Sequence, residues 1–354
     1  MDATIRQMLA LLRSSLNATP PDLLPADDSE WEKLFWLARK HGVVTMINDA
    51  IEQLPAAQQP QGDIALSWSL SAERTHYHYQ HQAQVLALLR QRADQQGLRL
   101  GLIKGMSLSR HYPIPCSRAC GDIDIFFLPL NTDNYQRGNA LLGCPDAALD
   151  GKHAEVTIDG VQVENHLHFL DLNYISQRRA ERYILSSLSR VSPEGYLDPM
   201  ANLVYLLMHT VCHLTAKFKL PLRNIIDWGI FLRANADQLD PASCRALMRR
   251  IGMLPAFNIL TSLAGEFVGA DFHVFIKGSL PPDDIRRMRE LILEKKYLEP
   301  IPAGLPLLQR FRTRMQRNRQ RRWLYRYLPS TAPERLWGNI HHLLFPSSQN
   351  HDHE

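Results

Sequence analysis

Residues 98–128 read LRLGLIKGMSLSRHYPIPCSRACGDIDIFFL, and the fold turns on how this stretch is read. An apolar run over Leu100–Ile103 stops at Lys104-Gly105, a turn or short helix follows, and a second apolar run starts at Asp122 and carries Asp124. Short apolar runs bounded by turn residues read as buried strands. Successive side chains of a strand point to opposite faces, so Asp122 and Asp124 share one face while Ile123 and Ile125 share the other. Two carboxylates on one face make a seat for a divalent cation such as Mg²⁺, which takes oxygen ligands from carboxylates, water and phosphate. The other reading, a Gly121-Asp122 turn with Asp124 facing water, sits poorly with the wholly apolar run that surrounds Asp124.

The Lys104-Gly105 turn suits a phosphate. Glycine lets the backbone come close to an anion, and the start of a following helix offers free N–H groups to it. Lys104 and Arg118 would add positive charge there. Such a turn alone says little, since most bind nothing. Beside an Asp-x-Asp strand it says more.

The pattern Lys104-Gly105, Tyr112-Pro113-x-Pro115, Arg118 and Gly121-Asp122-Ile123-Asp124-Ile125 resembles the nucleotidyltransferases related to DNA polymerase beta. More narrowly, it resembles their branch known as an uncharacterised nucleotidyltransferase family. In that superfamily a Gly-Ser turn after the first strand holds the triphosphate, an Asp-x-Asp pair binds metal, and a later strand gives a third acid. Here Gly105-Met106-Ser107 replaces Gly-Ser, and Lys-Gly is the narrower family's form of the turn. The stretch LARKHGVVTMI, 37–47, also resembles that family's N-terminal region, and HLTAKFKLPLRNIIDWGIFL, 213–232, its second helical region.

A third acid is found by alternation. Asp159-Gly160 between two alternating runs is a two-residue hairpin signal, so residues 154–169 read as a hairpin. On its second arm Gln162, Glu164 and His166 share a face, opposite Val161, Val163 and Asn165. In the resembled family a Glu-x-His follows the same kind of strand, with the Glu as third metal-binding acid. The resemblance thus implies Asp122, Asp124 and Glu164 as catalytic residues and ligands of Mg²⁺ or Mn²⁺. It implies Lys104, Gly105, Ser107, Arg118 and His166 as nucleotide-binding. A solvated acid at Glu164 and a structural histidine at His166 are the alternatives.

The 354 residues are 45% hydrophobic and 21% charged with a net charge of +4, a globular composition with no mark of general disorder. No apolar run is long enough for a membrane span, and the N-terminus lacks a signal-peptide layout, so a cytoplasmic protein is expected. Cys116, Cys120, Cys144, Cys212 and Cys244 are odd in number and scattered, which argues against a disulfide framework. Cys116-x-x-x-Cys120 has no second pair nearby to complete a zinc site.

Helices are expected on both sides of the strands. Ile5, Met8, Leu9, Leu12 and Leu16 share one helical face, Ser29-x-x-Glu32 reads as a capping box, and a long helix runs from Asp63 to Gln96. Residues 131–142 read as a helix crossing back over the sheet. Further helices are expected from Pro199 through Lys217 and from Pro221 to Ala234. His209 and His213, four apart, share a face but lack the HExxH glutamate and read as core or surface histidines. Lys217, Lys219, Arg223 and Asp227 are candidates to flank the nucleotide, with a buried Arg223–Asp227 pair as the alternative. Residues 310–326 hold eight arginines among aromatic residues. That run is local in a chain of +4, so it reads as a solvated helix face rather than the mark of a nucleic-acid binder.

The sequence therefore predicts an α+β protein: a small mixed-sheet nucleotidyltransferase core at 97–190, between a helical region at 1–96 and a helical domain at 191–346, with a disordered tail at 347–354. The expected activity is metal-dependent transfer of a nucleoside monophosphate from a nucleoside triphosphate such as ATP to a hydroxyl of a small molecule, protein or glycan. The other reading is a nucleotide-binding or interaction protein that keeps this fold without turnover.

Overall fold

The computed structural model describes residues 2–146, 151–216 and 220–294, together with 309, 312, 313, 316, 319, 322–330 and 334. Lys217 and Lys219, Arg310, Arg314, Arg317 and Arg321 of the arginine run, and the tail past Pro346 lie outside the described residues.

Four helices lead in: α1 (Ala3–Asn17), α2 (Asp28–His41), α3 (Val44–Ile51) and α4 (Gly62–Gln95). The α1 face expected to be apolar is buried, from Ile5 to Leu16. The expected capping box does not cap α2. Asp27 takes that place, its side chain accepting the Glu30 N–H at 2.9 Å, which leaves Ser29 inside the first turn. Gly42, at φ 68°, closes α2. Every residue of α3 is buried, including the β-branched Val44, Thr45, Ile47 and Ile51, so packing overrides weak helix propensity there.

The long α4 delivers the chain into a four-stranded sheet of β1 (Arg99–Ile103), β2 (Ile123–Leu128), β3 (His153–Ile158) and β4 (Val161–His166), in the order β1-β2-β4-β3. β1 runs antiparallel to β2, β2 parallel to β4, and β4 antiparallel to β3. The short α5 (Gly105–Ser109) follows β1, and α6 (Thr132–Leu142), capped by Asn131, makes the crossover that a parallel pair requires. The hairpin turns at Asp159-Gly160, both at positive φ. Ile123, Ile125 and Phe127 pack with Val161 and Val163 and with Leu89 of α4 in one core, while Phe126 on the other face joins a second, larger core. Phe126 lies flat on Gly101 of β1, where a Cβ would come within 2.2 Å of the ring.

That second core is helical: α7 (Ile175–Ser186), α8 (Pro199–Ala216), α9 (Leu222–Ala234), α10 (Pro241–Ile251), α11 (Leu254–Val268) and α12 (Pro282–Leu293). It runs from Met8 and Leu34 in the first helices through Phe231 and Phe257 to Leu324. Trp228 of α9 donates to Thr261 of α11 at 3.1 Å. The end of the arginine-rich stretch is tied down as well. Arg326 pairs with Asp284 at 3.2 Å and the Tyr327 hydroxyl donates to the same carboxylate at 2.7 Å. Among the described residues no helix is long and apolar enough to cross a membrane. The architecture is the α+β class expected from the sequence.

Glu181 on α7 sits under the end of β4, buried, with one oxygen accepting the Phe169 N–H at 3.0 Å and the other without a partner. Burial pushes its carboxyl up to about 7, against the pull of the Phe169 and Leu170 N–H groups. A carboxyl raised in the fold contributes stability that is whole below its unfolded value and lost as pH rises through the folded one. The Glu181→Gln variant keeps the acceptor and cannot ionise. Its stability relative to the native chain should therefore improve by roughly 2–3 kcal/mol between pH 5 and pH 8, read from urea denaturation at both. A pH-independent difference would contradict this account.

Candidate active site

The sheet register sets Asp124 opposite Ile103 of β1 on one side and Glu164 of β4 on the other. Asp122 stands just before β2. One carboxylate oxygen from each of Asp122, Asp124 and Glu164 lies within 4.8 Å of the others. His166, two residues along β4 from Glu164, points its Nε2 between two of the acids, 3.0 Å from Asp124 Oδ1 and 3.1 Å from Glu164 Oε2. Lys104 Nζ also bonds Asp124 Oδ1 and lies 3.8 Å from Glu164 Oε2. Asp124 Oδ2 is buried with no hydrogen-bond partner.

Crowding of like charge spreads the affinities for protons. Burial, then the neighbouring Asp124, pushes the Asp122 carboxyl up to about 6, against the pull of Lys104. Burial would raise Asp124 too, but the His166 hydrogen bond and the Lys104 charge hold it well below the usual range. Glu164 is likewise held low, against its burial, by His166 and Lys104. His166 resists its own burial through the bonds to Asp124 and Glu164, which raise it. Its Nδ1 lies 3.2 Å from the His168 carbonyl, so a doubly protonated ring donates on both sides.

The turn after β1 is tight. Lys104 takes φ 49° and ψ −148°, a conformation rare for a side-chain-bearing residue. Its carbonyl accepts the Ser107 and Leu108 N–H groups at 2.8 and 3.2 Å. A Cβ at Gly105 would stand 3.3 Å from the Asp122 carbonyl, which suits glycine at that position. Ser107 is buried, its hydroxyl without a partner.

A cavity of about 200 Å³ opens between this turn and the helical region. Lys104, Gly105 and Asp122 form one wall, His209, Thr210 and His213 of α8 another, and Arg223 and Asn224 of α9 a third. The His209 and His213 Nε2 atoms are 3.1 Å apart, and burial holds His209 well below its usual value, hence neutral. Arg223 donates to the Ala119 carbonyl at 2.7 Å, while its buried Nε has no partner.

Arg118 reaches the cavity wall, but its guanidinium is committed elsewhere. It makes a two-pronged pair with Asp227, 2.6 and 2.7 Å, and gives its remaining nitrogen to Cys120 Sγ at 3.2 Å. The Tyr112 hydroxyl donates to the same Asp227 at 2.6 Å. Asp227 thus pairs with Arg118 and not with Arg223, the neighbour on its own helix that the sequence offered. The structure brings together Asp122, Asp124, Glu164, His166 and Lys104, sets Gly105 and Ser107 beside them, and places Arg118 behind. The part played by α8 in the cavity was missed in the sequence. The four-residue spacing of His209 and His213 was the available signal. Cys116 and Cys120 are free thiols, and among the described residues no cysteine joins a potential metal group.

Comparison with curated proteins and with solved structures finds no match. A protein-family model described as "Uncharacterised nucleotidyltransferase" matches residues 27–269, and the chain belongs to that family.

Proposed function

We propose that this nucleotidyltransferase-family chain moves a nucleoside monophosphate from a nucleoside triphosphate to an acceptor hydroxyl, releasing pyrophosphate, in the cavity between the sheet and α8–α9. The observation that carries the reading is the convergence of Asp122, Asp124 and Glu164 oxygens within 4.8 Å beside that cavity. The all-oxygen donor set, with the buried Asp124 Oδ2 left unpartnered, fits Mg²⁺ or Mn²⁺. Held by these three residues, such an ion supplies charge stabilisation at the α-phosphate and eases ionisation of the hydroxyl.

The chain's own groups do the rest. Gly105 admits the triphosphate close to the backbone, with the Ser107 hydroxyl and Arg223 as its partners; Arg118 acts from behind, holding the Asp122 approach against α9. The acceptor oxygen forms its bond to the α-phosphorus as the bond to the β-phosphate's bridging oxygen breaks, and that oxygen leaves with the electron pair. The hydroxyl proton is released to solvent, which leaves the Glu164 carboxylate ionised to hold the ion. His166 fixes the Asp124 and Glu164 carboxylates relative to each other. The five free thiols support a reducing, cytoplasmic setting.

The test is incubation with each α-labelled triphosphate, Mg²⁺ or Mn²⁺ and cell extract, followed for pyrophosphate and a labelled acceptor. The Glu164→Gln variant should turn over about a hundredfold more slowly. Triphosphate binding by calorimetry should stay within a few-fold. Near-normal turnover in this variant would remove Glu164 from the mechanism, and no transfer from any triphosphate would favour a binding protein.

A further inference from the structure

We infer that Lys104 is a built-in cation standing where a second metal ion would stand, so that this site takes one divalent ion and not two. The inference rests on the metal-dependent reading above. It begins with position: the Lys104 ammonium spans two carboxylates on neighbouring strands, bonded to Asp124 Oδ1 and 3.8 Å from Glu164 Oε2, as a bridging ion would. Its side chain is only 14% exposed, so the ammonium is penned among these acids.

The oxygens left over give the count. Lys104 and His166 occupy Asp124 Oδ1 and Glu164 Oε2. Asp124 Oδ2, which has no partner, remains with the Asp122 carboxylate and Glu164 Oε1, the last lying 3.7 Å from His153 Nε2. That is the donor set of one ion, not two. Charge agrees: three carboxylates bring −3, Lys104 and the doubly protonated His166 return two units, and one divalent ion already more than neutralises the remainder, so a second would leave the cluster strongly positive. A second ion would have to displace Lys104.

The backbone points the same way. At φ 49° and ψ −148° Lys104 holds a conformation that glycine adopts freely and that costs strain for any other residue. A lysine kept in such a place is consistent with a need for its ammonium at the acids.

The test is Mn²⁺ titration of the full chain without nucleotide, by electron paramagnetic resonance and calorimetry. The native protein should bind one ion. Lys104→Met, of similar length and uncharged, should bind two, or bind one at least tenfold more tightly; Lys104→Arg, which keeps the charge, should remain at one. Two ions on the native chain would overturn the inference while leaving the nucleotidyl-transfer reading intact, and that count needs no variant to fold. A folded Lys104→Met indistinguishable from the native chain in number and affinity would also overturn it. No Mn²⁺ bound by the native chain would overturn both the inference and the metal-dependent reading.

Discussion

Asp122→Asn should raise the stability of the metal-free protein at pH 8 and yet lower its Mg²⁺-dependent transfer about 10²–10³-fold. Both effects come from the same crowding. Burial and the adjacent Asp124 push the Asp122 carboxyl from 3.8 to about 6. With the folded value above the unfolded one, stability is whole below pH 3.8 and lost as pH rises through about 6, so the native chain carries the full penalty at pH 8. Asparagine carries none. With a chelator present, denaturation at pH 8 should favour the variant by about 1–2 kcal/mol, discounted for partial exposure. At pH 4 the gain should be nearly gone. Added Mg²⁺ should reverse the order, because an ion that binds only the folded native chain stabilises it by mass action. A variant that is destabilised at pH 8 in chelator would refute the like-charge crowding, and one with native turnover would remove Asp122 from the site.

The second large effect is on folding. Asp227→Asn should destabilise the protein by about 3–5 kcal/mol, because it leaves the Arg118 guanidinium buried without a counter-charge. Arg118 is 5% exposed and Asp227 5%, so neither can turn to water for compensation. The Arg118→Met/Asp227→Leu double variant should recover most of the loss, since replacing both partners of a buried pair by apolar groups removes the stranded charge. The Tyr112 hydroxyl then loses its acceptor, so recovery should stop short of complete. A full double-mutant cycle in urea measures the coupling. A coupling energy near zero would mean that the pair holds nothing.

What the sequence revealed and what it hid follow from how local each signal is. β2 and the β3–β4 hairpin were legible because a period of two needs only neighbouring residues, and the Asp159-Gly160 turn fixes the β3–β4 register; that Glu164 faces the same way as Asp124 comes from the parallel pairing of β4 with β2. Even His166, evenly balanced between a structural and a functional role on sequence alone, falls on that face by the same count. The cavity was not legible in this way. Its far walls come from α8 and α9, and nothing in the spacing of His209, Thr210 or Asn224 says which sheet they meet. Asp227 illustrates the difficulty: a partner four residues away on its own helix was the natural choice, whereas the folded chain selects Arg118, which already lies against it in the core.

The bond from Arg118 to Asp227 joins residues 109 positions apart. Long-range contacts of this kind form late, after shorter loops have closed, because the entropy of bringing distant segments together comes before any reward. During synthesis the Asp-x-Asp strand and the hairpin leave the ribosome well before α9 does, and chains emerge at about 5–20 residues per second. For several seconds a nascent chain would hold the acids without the wall that faces them. The third wall of the cavity is therefore the last to arrive, in place only once α9 has emerged and Asp227 has met Arg118.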